Sequence, residues 1–317
     1  MRILFAGSPA IAVPALEAVS RLAESAANGI WRLSGVLTNP DSPRGRHGKP
    51  EPTEVGAAAL AFPPIPILKP EKLGSEAREA VAALKPDLLV SFAYGRIFGP
   101  KFLALFPLGG INIHPSLLPK YRGPTPIPQA ILNGDAETGI TIQRLAVEMD
   151  SGDILLQERI PLTGRETTAS LSEEVSRRAA VMLPEALRGI AAGTLAGRPQ
   201  DHSAASYCGL FSKDEGRIDW TKSAREIDAQ IRAFTPWPLS WTMHGEQYLY
   251  ILAAETVSGA VSEKAPGAIL GIDKQRGILV QTGDGALAVT MLQYRTKKAL
   301  EWRAFLNGVR DFTGILY

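Results

Sequence analysis

The chain has 317 residues, 45% hydrophobic and 21% charged, with 34 Lys and Arg against 32 Asp and Glu for a net charge of +2. That length suits two domains or one large one, and the charge balance excludes a uniformly basic nucleic-acid binder, leaving room only for local basic clusters. The single cysteine, Cys208, excludes an internal disulfide framework and a paired-cysteine metal site, and the four histidines have no metal-like spacing to one another or to it, so no metal is expected.

In chain order, "RILFAG" (2 to 7) is an apolar run closed by a glycine, as in a buried parallel strand. "AVPALEAVSRLAESA" (12 to 26) repeats apolar residues at helical spacing, and "RLSGVLT" (32 to 38) reads as a second strand. Residues 39 to 53, "NPDSPRGRHGKPEPT", carry turn signals throughout. Loops that long are usually functional or disordered. "EAREAVAALK" (76 to 85) reads as helix, "DLLVSFAY" (87 to 94) and "GGINIH" (109 to 114) as strands, and "TPIPQAILNG" (125 to 134) starts a helix at its threonine. This alternation predicts an α/β fold with a Rossmann-like, mostly parallel sheet in the N-terminal domain. The opening "MRILFAG" lacks a basic stretch leading into a long apolar core, and no later run approaches the roughly 20 apolar residues of a membrane span, so a cytoplasmic protein with no membrane contact is expected.

The pattern then changes. Residues 138 to 160 read as two strands joined through "MDSGD", and a helix follows over about 168 to 192. The small, polar stretch 193 to 208 reads as an interdomain linker, dividing the chain into domains at 1–192 and 209–317. Beyond one helix at 224 to 234, short strand-like runs follow at close intervals, which predicts a small β-barrel. Alternation in "WPLSWTMH" places Trp237 and Trp241 inside it.

The chemistry concentrates in "INIHPSLLPKYRG" (111 to 123). Open α/β sheets bind ligands outside the carboxyl ends of their strands, and Asn112 and His114 fall at such an end. Two residues apart on a strand, they face the same way, with Ile113 turned to the core. Together they can hydrogen-bond an oxygen that gains charge, and the histidine can carry a proton. Asp150 in "EMDSGDI" is the candidate carboxylate to orient His114; Asp153 is the competitor and is more easily read as a turn residue. The plainer alternative, a histidine and an asparagine that serve only structure, stands beside this reading. The first turn, "FAGSPAIAVPAL", has one glycine where a dinucleotide fingerprint wants three, and neither a phosphate-binding GxxxxGK[ST] nor a GxSxG elbow occurs.

The segments "ILFAGSPAIAVPAL", "VLTNPDSPRGR", "INIHPSLLPKYRG", "GDAETGITI", "MDSGDIL", "RIDW" and "IRAFTPWPLSW" together resemble the methionyl-tRNA formyltransferase family along essentially the whole chain. The resemblance implies a Rossmann-like catalytic domain and an OB-like C-terminal barrel. It implies transfer of a formyl group from the co-substrate 10-formyltetrahydrofolate to the α-amine of methionine on initiator methionyl-tRNA. The family's catalytic positions map onto Asn112, His114 and Asp150, and its folate-contacting stretch onto Ser116, Leu117, Leu118 and Pro119. Its tRNA-engaging loop maps onto residues 39 to 53 with Arg44, Arg46 and Lys49, although a solvated loop explains the charges alone. In the C-terminal domain Lys297 and Lys298 head a late basic cluster suited to phosphate contact, with Arg303 and Arg310 open to either reading. A formyltransferase acting on a sugar-nucleotide amine would share the three catalytic residues. So would a folate-dependent hydrolase releasing formate, and a tRNA-binding protein without catalysis would not need them. A monomer is expected.

Overall fold

A computed structural model describes residues 1–25, 30–43, 48–257, 263–309 and 312–317. The chain divides into two units: Met1–Pro126, Thr138–Pro161 and Ser172–Cys208 form the first, and Ile127–Glu137, Leu162–Leu171 and Gly209–Tyr317 the second. Among the described residues no helix is long and apolar enough to cross a membrane.

In chain order the elements up to the long helix are β1 (Arg2–Gly7), α1 (Val13–Ser25), β2 (Arg32–Leu37), β3 (Ser42–Pro43), β4 (Pro50–Glu51), α2 (Glu54–Ala59), β5 (Ile67–Leu68), α3 (Ser75–Ala83), β6 (Leu88–Phe92), α4 (Pro100–Leu103), β7 (Gly110–His114), α5 (Pro126–Leu132), β8 (Glu137–Arg144), β9 (Ile154–Pro161) and α6 (Thr168–Ala192). Seven strands form one sheet in the order β5-β2-β1-β6-β7-β8-β9. β5, β2, β1, β6 and β7 run parallel, and β8 turns antiparallel to β7. Every residue of β6 is buried, as a strand covered on both faces requires, so its sequence, Ser91 apart, is an apolar run instead of an alternation. Tyr94, Phe98, Phe102 and Phe106 pack ring to ring in series, with centroids 5.4, 5.3 and 5.9 Å apart, the first pair stacked and the next two tilted. At the amino end of the sheet the Arg2 N–H donates to Asp87 Oδ2 at 2.6 Å, tying the start of β1 to the start of β6. Because the chain leaves β1 first toward β2 and later toward β6, the strand order reverses at β1, the kind of switch point beyond whose strand carboxyl ends open α/β sheets bind ligands.

The second unit continues with α7 (Ala224–Phe234), β10 (Ser240–His244), β11 (Gln247–Val257), β12 (Ile269–Asp273), β13 (Gly277–Gln281), β14 (Ala286–Tyr294), β15 (Leu300–Glu301) and α8 (Trp302–Gly308). Its sheet is antiparallel in the order β10-β11-β14-β13-β12, with β15 on β14. Helix α7 begins in a capping box, Ser223 and Glu226 each bonding the other's backbone N–H. Its apolar stripe, Ile227 and Ile231, joins Trp220, Leu249, Leu287 and Trp302 in the core. The expectation that Trp237 lies inside is corrected: it is 53% exposed. β10 begins only at Ser240, so Trp237 precedes the strand and its alternation does not apply. The inward positions of that strand are Ser240 and Thr242, and Trp241 is only half-buried.

Residues 193–208 are not a spacer; they are built into the first unit. Ile154 and Arg198 exchange both backbone hydrogen bonds, and Arg122 pairs with the same segment through Ser206 and Cys208. Gln200 is buried to 5% exposure. Small and polar composition signalled a linker, but here those residues satisfy backbone groups of the sheet edge and the loop after β7.

Candidate active site

β7 brings Asn112 and His114 to the carboxyl end of the sheet on one face, with Asn112 paired across to Gln143 and His114 to Thr141 on β8. Ile113, between them, is 1% exposed and His114 4%. The loop that follows is fastened to β8 and β9 through one hydroxyl: Thr141 Oγ1 donates to Ser116 O at 2.7 Å and accepts from Leu118 N at 3.2 Å and from Gln157 Nε2 at 2.9 Å. The Ser116 hydroxyl donates to Lys120 O at 2.5 Å, and Gln157 also reaches Leu118 O. The chain then turns at Tyr121, whose φ is +58°, with its N–H donating to Ser206 Oγ at 2.9 Å. This turn aims the Tyr121 carbonyl at His114 Nε2, 2.8 Å away. A carbonyl only accepts, so Nε2 carries the hydrogen and Nδ1 is the nitrogen left for chemistry.

Asp150 faces that nitrogen, its Oδ1 3.6 Å from His114 Nδ1. Oδ1 also accepts from Gln143 Nε2 at 2.9 Å and lies 3.4 Å from Asn112 Nδ2, while Oδ2 accepts from Gly123 N at 2.9 Å. The expected triad is thus assembled around one carboxylate. The aspartate's φ of +53° is unusual for a residue with a Cβ and is held by its surroundings. Two glycines are indispensable here. A Cβ on Gly152 would lie 1.9 Å from Arg144 O, and one on Gly123, at φ +117°, 2.1 Å from Cys208 O. Asp153, the competing acid, is exposed and offers its backbone carbonyl to Arg144 N.

Sequence reading missed four supporting residues. Gln143 stands two residues after Thr141 on β8, so the two share a face, which was the available signal. Arg122 and Gly123 were quoted without a role. Gln200 lay hidden in the supposed linker. Arg122 is 2% exposed and donates to Gln200 Oε1, Tyr207 OH and His202 Nδ1. Cys208 is buried beside it; burial pushes its thiol up, against hydrogen bonds with Thr125 that lower it, which favours the neutral thiol over the thiolate.

The proposed folate stretch lies on the same loop: Ser116 and Leu118 are buried, Leu117 and Pro119 half-buried. Of the loop residues read as tRNA contacts, Arg44 and Arg46 lie outside the described residues; Lys49 is exposed beside β4, which pairs with β3 and joins the two ends of the loop. Lys297 and Lys298 are exposed on the turn between β14 and β15, and Arg303 bonds Glu301 and Lys274 O. Arg310 lies outside the described residues.

The chain is that of a formyl transferase: residues 1–187 match the family described as "Formyl transferase" and residues 211–310 the one described as "Formyl transferase, C-terminal domain". "Methionyl-tRNA formyltransferase" of Treponema denticola is 48% identical over 98% of each chain, and that of Treponema pallidum (strain Nichols) 45% identical over 97% of this chain and 96% of its own. Among solved structures, HypX from Aquifex aeolicus in complex with tetrahydrofolic acid superposes with a TM-score of 0.66 at 18% identity. The match covers 99% of this chain and 48% of that one, so the chain spans about half the length of HypX and the likeness is one of fold. The chain belongs to the methionyl-tRNA formyltransferase family.

Proposed function

We infer that this chain transfers the formyl group of 10-formyltetrahydrofolate to the α-amine of the methionine on initiator methionyl-tRNA. The full-length similarity to methionyl-tRNA formyltransferases carries that conclusion. The observation that carries the mechanism is a single carboxylate, Asp150, set against both Asn112 and His114 at a strand end.

The residues present fit a formyl donor: the Asn112 amide and His114 Nδ1 converge on one carboxylate, Asp150, at the carboxyl end of a strand. The Asn112 amide has a second hydrogen beyond the one directed at Asp150, and it stabilises the formyl oxygen as the amine attacks. His114 Nδ1 takes the proton the amine loses and returns it to the nitrogen of the departing tetrahydrofolate, so the proton balance closes. The Asp150 carboxylate, 3.6 Å away, stabilises the imidazolium between those events, while the Tyr121 carbonyl keeps the ring's other nitrogen occupied. Leu117, half-buried above Gly139, and Pro119 offer apolar surface to the pteridine, and Ser116 and Leu118 fix the loop that presents them.

We assign tRNA contact to Lys49, Arg44 and Arg46 in the loop after β2, and to Lys297 and Lys298 in the second unit. We read the second unit as an OB-like barrel; the reading is supported by the eleven-residue β11, whose register shifts between Ile251 and Ala254 are of the kind that lets a strand curl in a small barrel. Its exposed lysines suit phosphate oxygens. A cytoplasmic location follows from that substrate. The test offers 10-formyltetrahydrofolate with either initiator methionyl-tRNA or a nucleotide-linked amino sugar. Formylmethionine from the first and no formylated sugar from the second is expected; the reverse overturns the acceptor.

A further inference from the structure

We propose that Gln200 is the positioning residue for Asp150, and that the buried Arg122 fixes which way Gln200 faces. The proposal rests on the reading of Asp150 above and adds to it a residue outside the segment 1–187 that matches the formyl transferase family.

One side-chain amide closes a ring of contacts. Gln200 Nε2 donates to Asp150 O at 2.9 Å and to Gly152 O at 2.7 Å, and lies 3.2 Å from Gln143 Oε1. Gln143 Nε2 in turn donates to Asp150 Oδ1 at 2.9 Å. The aspartate is therefore held at both ends, its carboxylate by Gln143 and its backbone by Gln200, and Gln200 also sets the rotamer of Gln143. Without such support the left-handed backbone of Asp150 has no reason to persist.

The orientation of the amide follows from chemistry. A guanidinium only donates and a peptide carbonyl only accepts, so Oε1 must face Arg122 and Nε2 must face the Asp150 turn. Arg122 Nε and Nη2 meet Oε1 at 3.2 and 2.8 Å. Among the described residues Arg122 has no carboxylate within ion-pair distance; its other partners are the Tyr207 hydroxyl and His202 Nδ1. A buried cation that meets only neutral acceptors polarises them, which strengthens Nε2 as a donor to the turn. Arg122 also precedes Gly123, whose N–H holds Asp150 Oδ2, so one backbone step serves both attachments.

The role is separable from mere folding. Gln200→Glu keeps the size and the oxygen facing Arg122 but replaces the donor with an acceptor. It and Gln200→Ala are compared with Asp150→Ala and the double variant Asp150→Ala/Gln200→Ala, measuring kcat, both KM values and thermal midpoints of the full chain. The expected result is a kcat about 10- to 100-fold lower for each Gln200 variant, as displacement of a reacting group by ångströms produces. Both KM values should stay within about 2-fold, and in the Asp150→Ala background Gln200→Ala should add less than about 2-fold, because residues acting through one another are not additive. Wild-type kcat in Gln200→Glu beside a collapsed Asp150→Ala overturns the positioning role alone. So does a full further loss in the double variant, or loss of folded protein in both Gln200 variants, which makes Gln200 structural only. An Asp150→Ala enzyme with wild-type kcat overturns the reading of the site itself.

Discussion

Asp150 is useful because it is crowded. Donors from Gln143, Asn112 and Gly123 converge on its two oxygens, so the carboxylate is held in one orientation beside His114 without being free to swing. Asn112→Ala, His114→Ala and Asp150→Ala should each lower kcat by about 100- to 1,000-fold, the usual loss on removing one preorganised stabilising group, with thermal midpoints near wild type. A steady-state assay beside a thermal melt checks this; a fall in midpoint that tracks the fall in rate would mean the residues hold structure instead. Gly123→Ala should do the opposite and cost stability as well as rate, about 2 kcal/mol or more, since the new Cβ meets Cys208 O at a φ that side chains rarely adopt. Denaturant unfolding with an unchanged midpoint would contradict that. At this scale Asn112, His114 and Asp150 were legible as candidates because their spacing carries meaning on a strand and at a hairpin tip. Gln143 and Gln200 were not, because 57 residues of chain separate two amides that meet only after folding.

At the scale of elements, the sheet depends on how its strands begin as well as on their apolar runs. The Arg2 N–H bonded to Asp87 is the main cause that holds this carboxyl below its usual value of 3.8, with the Arg2 side chain adding to it and burial opposing. A depressed carboxyl contributes stability that is present above the unfolded value and lost as pH falls through the folded one. Asp87→Asn should therefore lower stability at neutral pH by about 1 kcal/mol, a modest figure for a partly exposed charged bond, and flatten the acid limb below about pH 4. Chemical unfolding at pH 7 and pH 3 checks both; an equal loss at the two values would contradict it. Long periodic elements were legible: α6 and α7 run over the residues their periodicity predicts. The short α2 and two-residue β5 were not, since too few residues lie in each to set a period. Trp237 was misplaced for a related reason, because an alternating pattern does not reveal where a strand begins.

For the whole molecule, near-neutral charge does not prevent nucleic-acid binding when cations gather on one turn. Lys297 and Lys298 are exposed together between β14 and β15. Lys297→Ala and Lys298→Ala should each raise KM for methionyl-tRNA while leaving KM for 10-formyltetrahydrofolate unchanged, and should lessen the salt dependence of tRNA binding by about one unit of log–log slope. Titration of KM against salt tests this; unaltered slopes would remove these lysines from the tRNA surface. The two-part organisation was visible in the change from alternating strands and helices to closely spaced strands. The role of residues 193–208 was not, because composition reports only that a segment can be a loop, and hydrogen bonding to distant backbone decides whether it is part of a site.

Formyl transfer itself bears most directly on the central claim. With 10-formyltetrahydrofolate and initiator methionyl-tRNA, the wild-type chain should produce N-formylmethionine, and His114→Ala, folded to the same midpoint, should do so at least about 100-fold more slowly. Free formate without formylmethionine, or a His114→Ala variant at the wild-type rate, would contradict it.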